Sequence, residues 1–412
     1  MKSRASLINW SASVVALQFG FSLPPGAEAQ TIRATQESDG AIRVVAPDAF
    51  ETTFTKRKGF GHIWFDLKHD PKKSRDLAPV DDENGFLWIK AAPAESADGS
   101  WYANPVQELE LLEAGPVRAR IRLKGSHARY GKTTPDALWK ELAFEQVFTL
   151  YPTGSIYVDY SLLTEQPVPL KHFLLITKST GTWGPNGKGE GGNEVHSAGE
   201  HGPESPSRSA TENKLSSFTL QWSNGPTHFQ DILVVMYQGK YGGSYWHEGY
   251  LDRDYRTSLN IFSRWPDRAA PKGRDSIPLM MRFADDMNGE KLAAPYAEDY
   301  RSPDRLAFVQ GEVDRTDAGD LDKDGFNEME GCYVLQSGPT GTGFTLHGSE
   351  LARMQPVFKI KGWAGGAPLK IVVGGRELEG GKGFNASVAK EFLLLQILEP
   401  VRADAMVTIA RP

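Results

Sequence analysis

The sequence predicts an all-β protein, with a large antiparallel β domain followed by a smaller C-terminal β-sandwich. Three observations predict it. From Ile32 onward, apolar and polar residues alternate with a period of 2 in one segment after another, the mark of strands with one buried face. Gly, Pro, Asn and Asp cluster between those segments at hairpin spacing. After Phe308, six short strand-like runs separated by Gly-rich turns fit into roughly 100 residues, the density of a small sandwich.

The first strands are expected at Ala41–Val45, Phe50–Thr55, Gly59–Leu67 and Phe86–Ile89. In FETTFT, residues Phe50, Thr52 and Phe54 share one face. Val106–Leu112 and Val117–Leu123 form an antiparallel pair joined by Glu113-Ala114-Gly115-Pro116. Within VRARIRL, Val117, Ala119, Ile121 and Leu123 mark a core face. Arg118, Arg120 and Arg122 mark a basic ribbon, expected to carry solvated ion pairs. Leu142–Tyr151 and Ser155–Leu163 make a hairpin around Pro152-Thr153-Gly154.

The run GPVRARIRLKGSHARY, followed by a strand and then LYPTGSIYVDYSLL, resembles the galactose mutarotase-like superfamily. The match is close over about 50 residues and organisational over residues 45–310. The resemblance implies that the large domain is an antiparallel β-supersandwich. It also implies kinship with secreted polysaccharide lyases, of the exo-rhamnogalacturonan-lyase-like kind, and with some glycosidases. No catalytic residue is carried over from it.

Leu170–Ser179 continues the strands, with His172 in it. The segment Gly181–Lys214 then turns rich in Gly, Ser, Pro and charge, and reads as an irregular insertion, a functional lid or a surface loop. It carries Trp183, Asn193, Glu194, His196, Glu200 and His201, so its two histidines can serve as ligands or as acid and base. Phe218–Trp222 and Ile232–Tyr237 lead into Tyr241–Arg256, YGGSYWHEGYLDRDYR. This stretch holds four tyrosines, a tryptophan, a histidine, two arginines and three acids, and follows neither a period of 2 nor one of 3.6. It reads as a strand-to-loop exit whose rings either stack on sugars or cover neighbouring strands. Leu259–Trp265 and Pro278–Asp285 extend the sheet, and Asn288–Ala297 is a short helix or loop.

Asp320, Asp322 and Asp324 followed by Gly325 is the most specific motif in the chain. Carboxylates at i, i+2 and i+4 before a glycine aim several oxygens at one hard cation, and calcium is the expected cofactor. Position twelve of an EF-hand loop would be a bidentate Glu; here it is Gly331, so Glu328 or Glu330 is expected to substitute. The ion's role is structural. The strands expected beyond are Cys332–Gln336, Gly343–His347, Val357–Lys361, Leu369–Val373, Phe392–Ile397 and Met406–Ala410. Trp363 and Phe384 are candidates for glycan stacking or for packing.

The 412 residues allow two domains, and 24% charged with 40% hydrophobic residues is ordinary for a globular protein. A net charge of −6 without a basic stripe argues against a nucleic-acid groove, though local Arg and Lys clusters can still bind an anionic glycan. Lys2 and Arg4, the apolar run Ser11–Leu23 and the small-x-small site at Ala27-Glu28-Ala29 read as an export signal over 1–29. The divisions expected after it are 30–305 for the large domain and 306–412 for the sandwich, in a periplasmic or extracellular setting. The lone Cys332 excludes an internal disulfide and reads as a buried small residue.

Three functions stay open on these residues. A polysaccharide lyase would use Tyr245 as acid and base, His196 or His247 as base or charge neutraliser, and Arg253 on the substrate carboxylate. Trp183, His201, Tyr241, Trp246, Tyr250, Tyr255 and Arg256 would line its cleft. A glycoside hydrolase would instead draw two carboxylates from Glu194, Glu200, Glu248, Asp252 and Asp254. A calcium-stabilised glycan-binding protein would need neither. No P-loop, G-x-S-x-G or H-E-x-x-H motif is present.

Overall fold

The computed structural model describes residues 30–47, 49–56, 59–65, 87–93, 101–102, 106–129, 138–181, 193–199, 215–224, 227–236, 244–251, 257–264, 268–284, 290–347, 352–368, 370–402 and 404–411. The export signal expected at 1–29 lies outside them. The chain is all-β, with one helix among the described residues, Glu290–Arg301. That segment had been open between helix and loop.

Four strands, Arg33–Gln36, Ile42–Ala46, Phe50–Thr55 and Gly59–Phe65, form one antiparallel sheet in chain order. It packs on a fourteen-stranded sheet whose centre runs Gly273–Ala284, Ser155–Thr164, Leu138–Leu150 and Ala119–Arg129. On one flank follow Thr227–Met236, Leu215–Asn224 and Asn193–Gly199. On the other follow Trp101–Tyr102, Leu87–Pro93, Val168–Gly181, Thr257–Arg264 and finally Ser244–Leu251.

The alternation read from the sequence decides the packing. Val117, Ala119, Ile121 and Leu123 are fully buried; the last three meet Phe144, Phe148, Ile156 and Val158 across neighbouring strands and Ile42, Val44, Phe50 and Phe54 from the small sheet. Phe54 and Phe148 join the two layers edge to face, their centroids 5.1 Å apart. At Gly115 the chain takes φ +106°, and a Cβ there would lie 2.1 Å from the Ile32 carbonyl oxygen, so only glycine fits this corner.

His127 is fully buried in this layer, and its Nδ1 lies 2.8 Å from the Leu142 carbonyl oxygen, which requires the proton on Nδ1 in the neutral ring. Burial pushes its pKa down to about 4, against the smaller opposing pull of that carbonyl. An unfolded histidine titrates near 6.5, so the unfolded chain takes up this proton first as the pH falls. The contribution of His127 is whole above pH ~6.5 and is lost as the pH drops towards its folded pKa, about 4. A His127→Gln variant that folds should therefore lose about 2 kcal/mol less than the wild type between pH 7 and 5, read from urea midpoints at each pH.

Beyond the helix, a five-stranded sheet begins at Arg305–Gln310 and continues through Gly341–His347, Met406–Ala410, Lys370–Val373 and Arg376–Glu377. A six-stranded sheet, centred on Cys332–Gln336, Val357–Lys361 and Phe392–Ile397, faces it. Phe344 and Phe358 meet in the core between them, 5.0 Å apart, among Leu346, Ile360, Leu395 and Ile409. Trp363 belongs to this core, at 3% exposure, and its Nε1 donates to the Gly366 carbonyl; it is packing and not a sugar platform. Cys332 is fully buried, and burial pushes its thiol up to about 12.

Candidate functional site

The acidic loop is the best-defined constellation. It springs from the edge of the six-stranded sheet, where Phe326–Asn327 pairs with Cys332–Gln336. Gly325, at φ +101°, makes the sharp turn, and its N–H donates to Asp320 Oδ2 at 3.0 Å. Leu321 N–H donates to Glu328 Oε2 at 2.9 Å, and Phe326 N–H to Asp324 Oδ1 at 2.8 Å. These bonds draw one oxygen each of Asp320, Asp322, Asp324 and Glu328 to within 4.8 Å of one another.

Such a gathering of anions needs a counter-charge, and among the described residues no ion pair reaches any of the four. The contrast with the next turn is direct. Lys361 Nζ lies 2.7 Å from Asp314 Oδ2 and 3.2 Å from Asp317 Oδ2. Hydrogen bonds from Lys361 and Thr316 hold the Asp314 carboxyl down at about 2. Within the cluster, burial does the opposite: it pushes Glu328 up to about 8 and Asp324 to about 6, each aided by neighbouring aspartates, and it raises Asp320. Asp320 is fully buried, and its Oδ1 has no hydrogen-bond partner. Four convergent carboxylates with a spare buried oxygen can hold a metal ion.

Glu330 corrects the expected ligand set. Its Oε2 lies 2.7 Å from Arg118 Nη1 and 3.2 Å from Lys359 Nζ, and its Oε1 lies 3.2 Å from Arg120 Nη2. Burial by itself would raise this carboxyl, but the Arg118, Arg120 and Lys359 charges hold it well below the usual carboxylate range. It is engaged by three cations and is turned to them, not to the cluster. The basic ribbon needs the same correction at Arg118, which is 1% exposed; its Nε also donates to Glu113 Oε2 at 2.9 Å. Sequence alternation placed Arg118 off the core face, but it lies just before the strand Ala119–Arg129, where it meets Glu330 and its neighbour Val117 packs on Cys332, Val334 and Leu394. Gly331, where an EF-hand would have its bidentate Glu, takes φ +67°, and a Cβ there would lie 2.1 Å from the Tyr157 ring.

The expected glycan residues are placed by strand register. Tyr245, Trp246, His247 and Tyr250 lie on Ser244–Leu251, which pairs with Thr257–Arg264 through Tyr245↔Ser263 and His247↔Ile261. The stretch expected as a loop exit is thus in good part a strand. Rings on both faces had masked its period. A period of 2 assigns Tyr245 and His247 to one face and Trp246, Glu248 and Tyr250 to the other. His196 lies on Asn193–Gly199, opposite Thr219, so a seven-residue strand replaces part of the expected irregular insertion. These two strands stand at the two ends of the hydrogen-bonded order of the large sheet, and strand pairing does not bring them together. Trp183, His201, Tyr241, Arg253, Tyr255 and Arg256 lie outside the described residues.

No helix among the described residues is long and apolar enough to cross a membrane. No family model matches the chain. No curated protein matches its sequence. Among solved structures, the galactose 1-epimerase from Lactobacillus acidophilus NCFM aligns over 62% of this chain and 98% of its own, at 6% identity and a TM-score of 0.34. The heparan sulfate lyase HepC from Pedobacter heparinus aligns over 69% and 37%, at 6% identity and a TM-score of 0.32. An alpha-mannosidase from Enterococcus faecalis V583 aligns over 93% and 42%, at 11% identity and a TM-score of 0.33. The chain therefore spans less than half of the lyase and of the mannosidase. At these scores the alignments carry no argument about activity or site.

Proposed function

We propose that this chain is an exported carbohydrate-active protein, a polysaccharide lyase that cleaves an acidic glycan by β-elimination, with a structural calcium ion at Asp320, Asp322, Asp324 and Glu328. The observation that carries the enzymatic part is the register of Ser244–Leu251, which gives Tyr245 and His247 alternate positions on one strand face. Two residues of strand separate their backbones by about 7 Å, a span that a sugar ring bridges. In the reaction, Arg253 neutralises the uronate carboxylate and His247 or Tyr245 takes the C5 proton. The electron pair of that C–H bond becomes the C4=C5 double bond as the C4–O bond breaks, and Tyr245 returns a proton to the leaving oxygen. Trp246 and Tyr250 take the opposite positions of the same strand and so do not line the surface that Tyr245 and His247 share, and His196 joins the set only where the sheet's curvature brings its strand near. Calcium is favoured over magnesium because the loop offers four carboxylates to one ion, whereas magnesium keeps several of its waters and is held by one or two.

The test is a panel of acidic polysaccharides followed for ultraviolet absorbance from unsaturated ends. The expected result is turnover on at least one uronate-containing glycan, reduced about 100-fold or more in Tyr245→Phe and in His247→Ala. New reducing ends without absorbance would replace the lyase by a hydrolase using Glu248 and its neighbours. Binding without turnover would leave a glycan-binding protein.

A further inference from the structure

Residues 320–328 carry the four carboxylates, and the segment that starts two residues later seats the C-terminal sandwich on the outer face of the large sheet. Glu330 meets Arg118 and Arg120, and its carbonyl accepts the Tyr151 hydroxyl at 2.7 Å. Gly331 lies under the Tyr157 ring, and Cys332 packs with Val117 and Tyr151, which are likewise buried. Asn327 joins the two parts without slack. Its Oδ1 accepts the Glu330 N–H at 2.7 Å, its carbonyl accepts the Gly331 N–H at 2.7 Å, and its Nδ2 donates to Asp317. Glu328 itself faces both ways: its carboxylate belongs to the cluster, and its carbonyl accepts the Tyr300 hydroxyl from the helix at 3.3 Å. An ion that fixes the Glu328 carboxylate therefore fixes the peptide from which the docking contacts hang. That a ligand belongs there rests on more than acidity, since the buried Asp320 keeps an oxygen with no partner.

We infer that a divalent cation at Asp320, Asp322, Asp324 and Glu328 latches the C-terminal sandwich onto the large sheet, cation binding and domain docking being reciprocally coupled through residues 327–332. This rests on the calcium reading above. Linkage requires that the coupling run both ways: weakening the docking contacts must weaken the ion.

Calcium affinity is measured by calorimetric titration of the full chain and of Arg120→Gln, which removes one docking cation and no cluster ligand. The wild type should bind calcium, and Arg120→Gln should bind it about fivefold or more weakly. In thermal scans, the calcium-loaded wild type should melt in one transition. The chelated wild type and Asp322→Asn should melt in two, with the sandwich released from the large domain. If calcium binds equally to both proteins and the chelated chain still melts as one unit, the latch is overturned while the ion site stands. If the wild type takes up no calcium, site and latch fall together.

Discussion

Glu330→Gln is expected to lower the unfolding free energy by about 3–5 kcal/mol, measured by urea denaturation at pH 7. The side chain it alters is the sole described acid shared by Arg118, Arg120 and Lys359, and Arg118 is 1% exposed. A neutral amide in that place leaves the guanidinium in a low-dielectric interior with Glu113 as its remaining ion-pair partner among the described residues. Arg118→Met should cost less, because Glu330 keeps Arg120 and Lys359, each at 3.2 Å. The same pairing predicts an acid limb. The folded carboxyl is held well below its ordinary range, so its contribution is complete above the unfolded value near 4.3 and is lost as the pH falls from there towards the folded value. Glu330→Gln should flatten stability against pH in that window.

Calcium should raise the unfolding free energy by about 3 kcal/mol when free ion exceeds its dissociation constant about 100-fold, and the gain should grow with the logarithm of calcium concentration. Asp320→Asn should abolish the response. Asp320 is buried, as Glu328 is, and it is the member whose Oδ1 has no hydrogen-bond partner, so losing its charge removes a cluster ligand. Asp314→Asn, only six residues away in sequence, should leave the response in place, because Asp314 already has Lys361 at 2.7 Å. Urea midpoints of each variant, taken with calcium and with a chelator, decide between the two. Magnesium at the same concentration should substitute poorly, since it dehydrates reluctantly and demands near-ideal octahedral geometry.

Where one face of a strand is core, the sequence was readable. The alternation in VRARIRL, the Pro152-Thr153-Gly154 hairpin and the six C-terminal runs all appear at or within a few residues of their expected places. The acidic loop was readable too, because its chemistry is local and its spacing short. Arg118 and Glu330 were not, for a common reason. Period 2 tells which residues leave the core of their own sheet but not whether a segment more than 200 residues later packs against them. Ser244–Leu251 escaped as a strand because aromatic residues occupy both of its faces, and Asn193–Gly199 because glycine and charge around it hide a short strand. Gly331 looked like a missing ligand, when the Tyr157 ring needs the space.

The order of the large sheet bears on how the chain reaches this state. Ser155–Thr164 and Gly273–Ala284 are hydrogen-bonded neighbours, with Ser161 and Ser276 touching across 115 residues of sequence. The chain leaves the middle of the sheet at Thr164, lays down strands on both flanks, and only then returns to fill the gap. Until Gly273–Ala284 pairs, Ser155–Thr164 has a strand partner on one side only. Closing the chain over that distance slows folding, and the Ser155–Thr164 edge stays open to wrong pairing until Gly273–Ala284 arrives.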